Sequence, residues 1–281
     1  MPTLIYIPLV YLIGWITIQL IKYTFIRDLQ DNELSLIGTF ISFILFLILL
    51  PSWVKLRWRR RNFFKAIGLS EFASRKFWKF LLRGILYALI LISLLLIILL
   101  LSPWGTWIGL RSSQVLINAI FLGVFVGFAE EIIFRSWLWG EMNQLVGEKL
   151  SLPISSLIFS LVHIRFDLQI WVLCKLLLCL FILGLVLSLI RIIDHGSLFG
   201  CIGFHGALVS GWFIVSSDLV KFSSNTPEFI FGHGGSNLNP MSGILTISLL
   251  TLMLLLQRNA LAIDGEPFRG ARNASSKGAS P

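Results

Sequence analysis

The sequence predicts an all-α membrane protein, a polytopic bundle of about eight transmembrane helices. Hydrophobic residues make up 56% of the 281 residues and charged residues only 13%, whereas a soluble domain carries about 25% charged residues. The mean hydropathy of +0.87 points the same way. This composition excludes a water-soluble globule and a disordered chain. The apolar runs are continuous rather than alternating, which argues against a transmembrane β-barrel.

The predicted spans follow the apolar runs, the fifth of which is short. The runs lie at about 3–21, 34–50, 84–101, 115–131, 152–164, 169–190, 198–215 and 241–256. They divide the chain into two spans with a basic cytoplasmic or interfacial segment (1–83), a core helical bundle (84–256) and a polar tail (257–281). The tail is rich in Gly, Ser and Arg, so we expect it to be disordered.

Two local signals set span boundaries, and the basic residues set the orientation. Asn239-Pro240 is typical of an N-cap with proline at the first helical position, and Ser102-Pro103 ends the third span. Lys and Arg cluster between the second and third spans, which predicts that this loop and both termini are cytoplasmic. The cluster comprises Lys55, Arg57, Arg59, Arg60, Arg61, Lys65, Arg75, Lys76, Lys79 and Arg83.

The net charge of +9 has two interpretations. A basic protein can bind nucleic acid, but in a membrane protein basic loops mark the cytoplasmic side and contact anionic lipid. We therefore predict the lipid bilayer, and no nucleic acid, as a partner. The cysteines Cys174, Cys179 and Cys201 lie in apolar stretches without CxxC spacing, so we predict that they are packing residues.

Ionisable residues inside predicted spans are the first candidates for function, because each costs at least about 2.5–3.5 kcal/mol to insert. Glu130, Glu131 and Arg135 lie at the end of the fourth span. His163 ends the fifth and His205 lies inside the seventh. Lys175, near the outer end of the sixth, is interpreted as a snorkelling residue.

The sequence predicts different roles for the two glutamates. Glu131 and Arg135 are four residues apart and share a helix face, which is typical of a structural ion pair. Glu130 is rotated by about 100° from Glu131. It must therefore find a partner on another helix or be protonated, which makes it the better candidate for chemistry.

Each histidine by itself is more often a core residue than a functional one. Two adjacent carboxylates lie in a neighbouring span, however, and one shared polar cavity can provide hydrogen-bond partners for both carboxylates and both imidazoles. Such a set can activate water, with a carboxylate as base, one histidine orienting the water and the other stabilising an oxyanion. The same side chains could instead hold a divalent metal such as zinc. Phe159, one turn before His163, is a core residue by physics alone.

The pattern Glu130-Glu131-x-x-x-Arg135, followed by Phe159-x-x-x-His163 and then His205 in a later span, resembles the CPBP family. These are the CAAX prenyl protease and bacteriocin-processing proteins, also called the Abi family. The resemblance covers about residues 115–256. It implies an intramembrane endopeptidase, a hydrolase that acts on a peptide or membrane-protein substrate.

The resemblance also implies roles for individual residues. Glu130 would be the general base, and Glu131 with Arg135 would order the site. His163 would share the water or a metal, and His205 would stabilise the oxyanion or ligate the metal, so that a metalloprotease would use Glu130, His163 and His205. The family's last motif usually reads HxxxN, but Val209 stands at the final position here. His205 alone or Asn118 would then serve the oxyanion.

Two other functions stay open at this point. A CPBP relative without catalysis would bind or protect a membrane-protein partner, which the departure at Val209 favours. Buried carboxylates and histidines also make the proton relays of transporters, although no broken-helix repeat is visible. Both the bacterial plasma membrane and an organellar membrane such as the thylakoid are compatible with the sequence.

Overall fold

The computed structural model describes residues 2–24, 31–235 and 238–263. The prediction of an all-α membrane helix bundle is confirmed. In the described part of the chain, six helices are long and apolar enough to cross a membrane. Two shorter apolar helices, Lys149–Leu161 and Ile244–Gln257, occupy the remaining predicted spans. Several long apolar helices of this kind make the chain an integral, multi-pass membrane protein.

The helices run in the following order along the chain, with one short β-strand pair among them. They are α1 (Pro2–Thr24), α2 (Asp31–Leu56), α3 (Phe63–Ile67), α4 (Arg75–Leu101), α5 (Ser113–Glu130), α6 (Trp139–Val146), α7 (Glu148–Leu161), α8 (Ile170–Ile193), α9 (Phe199–Ile214), α10 (Glu228–Phe231) and α11 (Ile244–Ile263). Two π-helical segments, Glu131–Leu138 and Val215–Leu219, and a 3-10 turn, Pro240–Ser242, complete the helical structure. Strands β1 (Gly105–Trp107) and β2 (Val220–Phe222) pair antiparallel.

The chain forms two compact units, and the first ends at Ala66. The sequence placed the end of its first segment later, at residue 83. In the first unit, α1 and α2 form a hairpin held by small residues. A Cβ atom at Gly14 would lie only 2.8 Å from the carbonyl oxygen of Gly38, so the two backbones approach as closely as small residues allow.

The second unit begins at Ile67, and α9 lies at its centre. Glycines on α9 let the neighbouring helices pack directly on its backbone. A Cβ at Gly206 would lie 2.6 Å from the carbonyl oxygen of Gly123 on α5, and a Cβ at Gly84 on α4 would lie 2.7 Å from the amide nitrogen of Phe204. Helix α9 is therefore clamped between α4 and α5, which fixes the position of every side chain that it carries.

Helix α8 packs on both α7 and α11 and is the most buried of the spans. The Ser160 hydroxyl donates a 2.6 Å hydrogen bond to the carbonyl oxygen of Leu177, which joins α7 to α8. The core between these helices contains Phe159, Leu183 and Phe204, each at most 1% exposed. This packing brings the end of α7 next to α9.

The two ends of the second unit are distinct. At one end β1 pairs with β2, and the Asp218 carboxylate accepts hydrogen bonds from the backbone amides of Arg111 and Ser112 at 2.6 and 2.8 Å. At the opposite end Arg83 forms an ion pair with buried Asp194.

Two predicted boundaries differ from the structure. The fourth span does not end at 131, because the chain continues as one helical rod from Ser113 to Val146, 34 residues long. The last helix reaches Ile263, past the predicted boundary at 256. The rest of the predicted tail, 264–281, lies outside the described residues.

Candidate active site

The adjacent glutamates lie in the middle of the long helical rod, where α5 changes into a π-helical segment. The segment spans Glu131–Leu138, and the amide of Trp139 donates to the carbonyl oxygen of Phe134, five residues earlier. Such wide turns are uncommon and occur frequently at functional sites. The sequence missed the continuation beyond 131 because Glu130, Glu131 and Arg135 interrupt the apolar run.

Glu131 is fully buried and anchors the site. Its Oε1 accepts from a guanidinium nitrogen of Arg135 at 3.1 Å, as the four-residue spacing predicted. The same oxygen lies 2.7 Å from Nδ1 of His205 on α9. One carboxylate oxygen thus joins two helices that are far apart in sequence. Charge-assisted hydrogen bonds of this kind are about twice as strong as neutral ones.

Glu130 faces the two histidines from the same helical rod. Its Oε2 lies 3.8 Å from Nε2 of His163 and 3.8 Å from Nε2 of His205. These separations are too long for direct hydrogen bonds and suit one bridging molecule between the carboxylate and each ring. The Glu130 side chain is 27% exposed and that of His163 is 34% exposed, but Oε2 of Glu130 itself is buried and has no hydrogen-bond partner among the described residues.

His163 reaches this position because the chain turns back on itself. Residues 131–146 continue the rod, and α7, with 14 residues, runs back along it. The short fifth helix that convergence requires is thus present. His163 follows the last turn of α7, and its Nδ1 lies 2.7 Å from the carbonyl oxygen of Phe159.

Phe159 does more than fill the core. Its ring centroid lies 4.0 Å from Cζ of Arg135, a close cation–π contact. The ring also packs edge-on against His163, with ring centroids 4.9 Å apart, and against Phe134 at 5.1 Å. Phe159 therefore holds both Arg135 and His163 in place.

The partners of the two Nδ1 atoms assign the tautomers of neutral rings. A carbonyl oxygen only accepts, so Nδ1 of His163 carries a proton and Nε2 has a lone pair. A carboxylate at Glu131 makes the same assignment for a neutral His205 ring. In these neutral tautomers Nε2 of each ring, 3.8 Å from Oε2 of Glu130, carries the lone pair, whereas a protonated His205 would carry an Nε2–H there. Electron-pair donors arranged in this way attract a proton, a water molecule or a cation.

The same atoms are the candidate ligands for a metal ion. Oε2 of Glu130 and Nε2 of His163 and His205 are the donors that would hold zinc, and an imidazole supported through its Nδ1–H is typical of ligating histidines. In the described residues, however, no group of three or more His, Cys, Asp or Glu side chains has the arrangement of a metal site.

The structure corrects one predicted alternative and separates other polar residues from the site. Asn118 is exposed and accepts from Gln114 Nε2 at 2.9 Å. It lies twelve residues before Glu130, about 18 Å along the rod, and cannot reach the site. His233 pairs instead with Glu228, at 2.9 Å.

Sequence reasoning missed one buried cation, Arg191. It lies at the end of α8, only 9% exposed, with its Cζ 4.8 Å from the ring centroid of Trp139. Its charge also interacts with that of Glu131. At the end of an apolar run, an arginine is normally interpreted as a snorkelling residue, so the sequence carries no signal for this position.

Comparison with known families gives two matches. Residues 1–62 match a domain of unknown function (DUF8676), close to the first compact unit. Residues 111–210 match the family described as type II CAAX prenyl endopeptidase Rce1-like, and this range contains Glu130, Glu131, Arg135, Phe159, His163 and His205. Searches of curated proteins and of solved structures gave no match. The match over residues 111–210 is to an Rce1-like domain, and this similarity supports a membrane protease of the CPBP family.

Proposed function

We propose that this protein is an intramembrane endopeptidase that hydrolyses a peptide bond with water activated by Glu130. The observation that carries the proposal is the position of Glu130 Oε2, 3.8 Å from Nε2 of both histidines. A water molecule in this space would donate to the carboxylate while its oxygen faces a substrate carbonyl.

The two histidines would have different tasks. His205 has carboxylates on both sides, Glu131 at Nδ1 and Glu130 beyond Nε2, and a protonated His205 ring would present an Nε2–H to the space beside Glu130. An Nε2–H on that ring can stabilise an oxyanion. His163 has a carbonyl oxygen at Nδ1, so its neutral ring would accept from the water and orient it. Glu131, Arg135 and Phe159 would keep these rings in position.

In the proposed reaction, Glu130 takes a proton from water while the water oxygen bonds to the carbonyl carbon of the substrate. The negative charge that forms on the carbonyl oxygen is stabilised by His205. When the carbon–nitrogen bond breaks, the proton held by Glu130 moves to the departing nitrogen. Atoms and charges balance, and the glutamate returns to its ionised state.

The substrate class follows from the domain match as a proposal. An Rce1-like domain suggests a prenylated CAAX tail, and a leader peptide or another membrane protein is the alternative. A zinc ion, if bound, would supply further polarisation of the water, and Glu130, His163 and His205 would hold it.

The decisive experiment compares the purified full chain with two site variants on a panel of prenylated CAAX peptides and leader peptides. Glu130→Gln and His163→Ala should lower turnover by about 10²–10⁴-fold while folding is retained. Glu228→Gln, which removes a carboxylate distant from the site, is the matched control and should cleave normally. Equal cleavage by the wild type and both site variants would rule out the proposed mechanism.

A second candidate function rests on Val209. The amide that ends the family's last motif is replaced by an aliphatic side chain here, which suits a non-catalytic protein that binds or protects a membrane-protein partner. Partners captured equally by the wild type and by Glu130→Gln, together with no cleavage by either protein, would favour this function.

A further inference from the structure

The hairpin of α1 and α2 contains a cleft that the proposed peptidase mechanism does not use. The cleft has a volume of about 580 Å³ and is lined by Tyr6, Ser52, Trp53, Leu56, Arg57 and Arg59 among others. This volume lies in the range of small-ligand sites, about 300–1,000 Å³. All of these residues belong to the first compact unit.

One wall of the cleft is aromatic and ordered. The rings of Tyr6 and Trp53 stack with centroids 4.2 Å apart, which ties the start of α1 to the last turns of α2. Arg57 lies beside this wall, with Cζ 5.8 Å from the Trp53 ring centroid, and donates to the hydroxyl of Thr3 at 3.2 Å. The guanidinium is thus oriented before any ligand arrives.

Arg59 provides a second, independent observation. It lies three residues beyond the end of α2 and has a positive φ of 53°, a conformation that favours glycine. The amide of Arg60 donates back to the carbonyl oxygen of Val54, the contact that closes this helix end. Non-glycine residues in such conformations cluster at functional sites. An arginine held here places a cation at the rim of the cleft.

The stretch of sequence that forms this end of α2 carries charge of one sign. No Asp or Glu occurs between Glu33 and Glu71, while this stretch contains Lys55, Arg57, Arg59, Arg60, Arg61 and Lys65. Glu33 lies near the opposite end of α2, about 36 Å from Arg57 along the helix. The positive charges of this stretch therefore lie far along the helix from the carboxylate of Glu33.

We propose that this cleft binds the headgroup of an anionic phospholipid. Arg57 and Arg59 contact the phosphate, Ser52 donates to its oxygens, and Tyr6, Trp53 and Leu56 contact the glycerol and the first carbons of the acyl chains. Arginine suits this task because its planar guanidinium binds phosphate oxygens in pairs. The location at the end of a predicted transmembrane hairpin matches the depth of lipid headgroups.

The test uses the full chain purified in an uncharged detergent. Dioleoyl phosphatidylglycerol, dioleoyl phosphatidylcholine and inorganic phosphate are titrated separately, and binding is followed by native mass spectrometry and by the shift in melting temperature. We expect phosphatidylglycerol to bind about tenfold or more tightly than phosphatidylcholine, because two charge-assisted contacts depend on net negative charge. Inorganic phosphate should shift the melting temperature much less.

Two double variants with the same change in net charge distinguish a built site from diffuse attraction. Arg57→Gln with Arg59→Gln should lower phosphatidylglycerol affinity about tenfold, whereas Arg60→Gln with Arg61→Gln should change it less than about threefold. Equal losses in both, or equal binding of both lipids, would overturn the proposal. A shift from phosphate as large as that from phosphatidylglycerol would overturn the choice of a lipid.

The variant Arg59→Gly distinguishes loss of lipid binding from loss of folding. Glycine suits the positive φ at this position, so the lipid-free protein should melt at the same temperature as the wild type or higher. Its affinity for phosphatidylglycerol should nevertheless fall. Unchanged lipid affinity in this variant would contradict the role of Arg59.

Discussion

The adjacent residues Glu130 and Glu131 show how position on a helix separates two chemically identical side chains. Glu131 is buried and bonded to Arg135 and His205, whereas Glu130 is partly exposed and has two imidazole nitrogens at 3.8 Å. The first arrangement suits a positioning residue and the second a base. Their spacing predicted different partners, but only the structure identifies the partner of Glu131 on α9.

Removing Arg135 tests the buried network around Glu131. Arg135→Ala leaves the Glu131 carboxylate without its principal cation, and breaking a buried pair from one side typically costs about 3–5 kcal/mol. We expect a clearly lower melting temperature and expression level, with a milder effect for Arg135→Lys. Thermal unfolding in detergent is the measurement. Wild-type stability of Arg135→Ala would show that Glu131 has adequate support elsewhere.

A substitution at Val209 tests whether an amide at this position stabilises the oxyanion. Val209 lies one turn after His205 on α9, so Val209→Asn would place an amide next to the proposed oxyanion site. A single additional hydrogen bond of about 1 kcal/mol corresponds to about a fivefold rise in turnover. Val209→Leu, which adds volume without a donor, is the control. If both variants cleave at the same rate, the amide does not act in the reaction.

At the scale of helices, the site depends on how closely α5 approaches α9. Gly123 and Gly206 face each other, so the backbones that carry Glu130 and His205 are nearly in contact. The π-helical segment begins at Glu131, at the level of the site. The short helix α7 then returns His163 to the same place. The helical rod contributes Glu130, Glu131 and Arg135 to the cluster, α9 contributes His205, and His163 follows the end of α7.

Two substitutions on α9 test this close packing. A Cβ at Gly206 would lie 2.6 Å from a backbone carbonyl oxygen of α5, whereas a Cβ at Gly211 would meet, at 2.5 Å, the terminal methyl group of the Ile92 side chain. Backbone cannot move without shifting the helix, but a terminal methyl group can rotate away. Gly206→Ala should therefore lower both melting temperature and turnover, and Gly211→Ala should affect each only slightly. Equal effects would contradict this explanation.

At the scale of the whole molecule, the loops of the second unit lie at its two opposite ends. The β1–β2 pair and Asp218 lie at one end, and Arg83 with Asp194 lies at the other. His205 is six residues into α9, about 9 Å from its start. The site therefore lies nearer the end that carries Arg83, the end whose sequence is most basic.

The orientation in the membrane follows as a prediction from the positive charges. We propose that residues 51–83 and both termini are cytoplasmic, because Lys and Arg accumulate on that side. Arg60→Cys in a background without Cys174, Cys179 and Cys201 can be labelled with a membrane-impermeant reagent. The label should reach position 60 only after the membrane is opened. Labelling in intact cells would show the inverted orientation.

Much of the fold could be predicted from the sequence, because burial in lipid demands long apolar runs and closed helical hydrogen bonding. These demands act locally, so the runs predicted the spans and the cost of charge in lipid selected Glu130, Glu131, Arg135, His163 and His205. The boundary at 131 was wrong because hydropathy averages over a window. It cannot recognise that Glu131 and Arg135 neutralise each other inside a continuing helix.

What only the tertiary structure decided is the set of contacts between helices. The distance between Glu130 and two imidazoles depends on the α6–α7 turn and on the glycine contacts of α9, and no local pattern encodes either. The stacking of Arg191 on Trp139, and the use of Phe159 as a support for Arg135, likewise join residues distant in sequence. The sequence by itself determined which ionisable side chains lie in membrane-spanning segments and therefore need a polar partner there. Packing decided which of them meet, because close packing depends on the shapes of all the helices together.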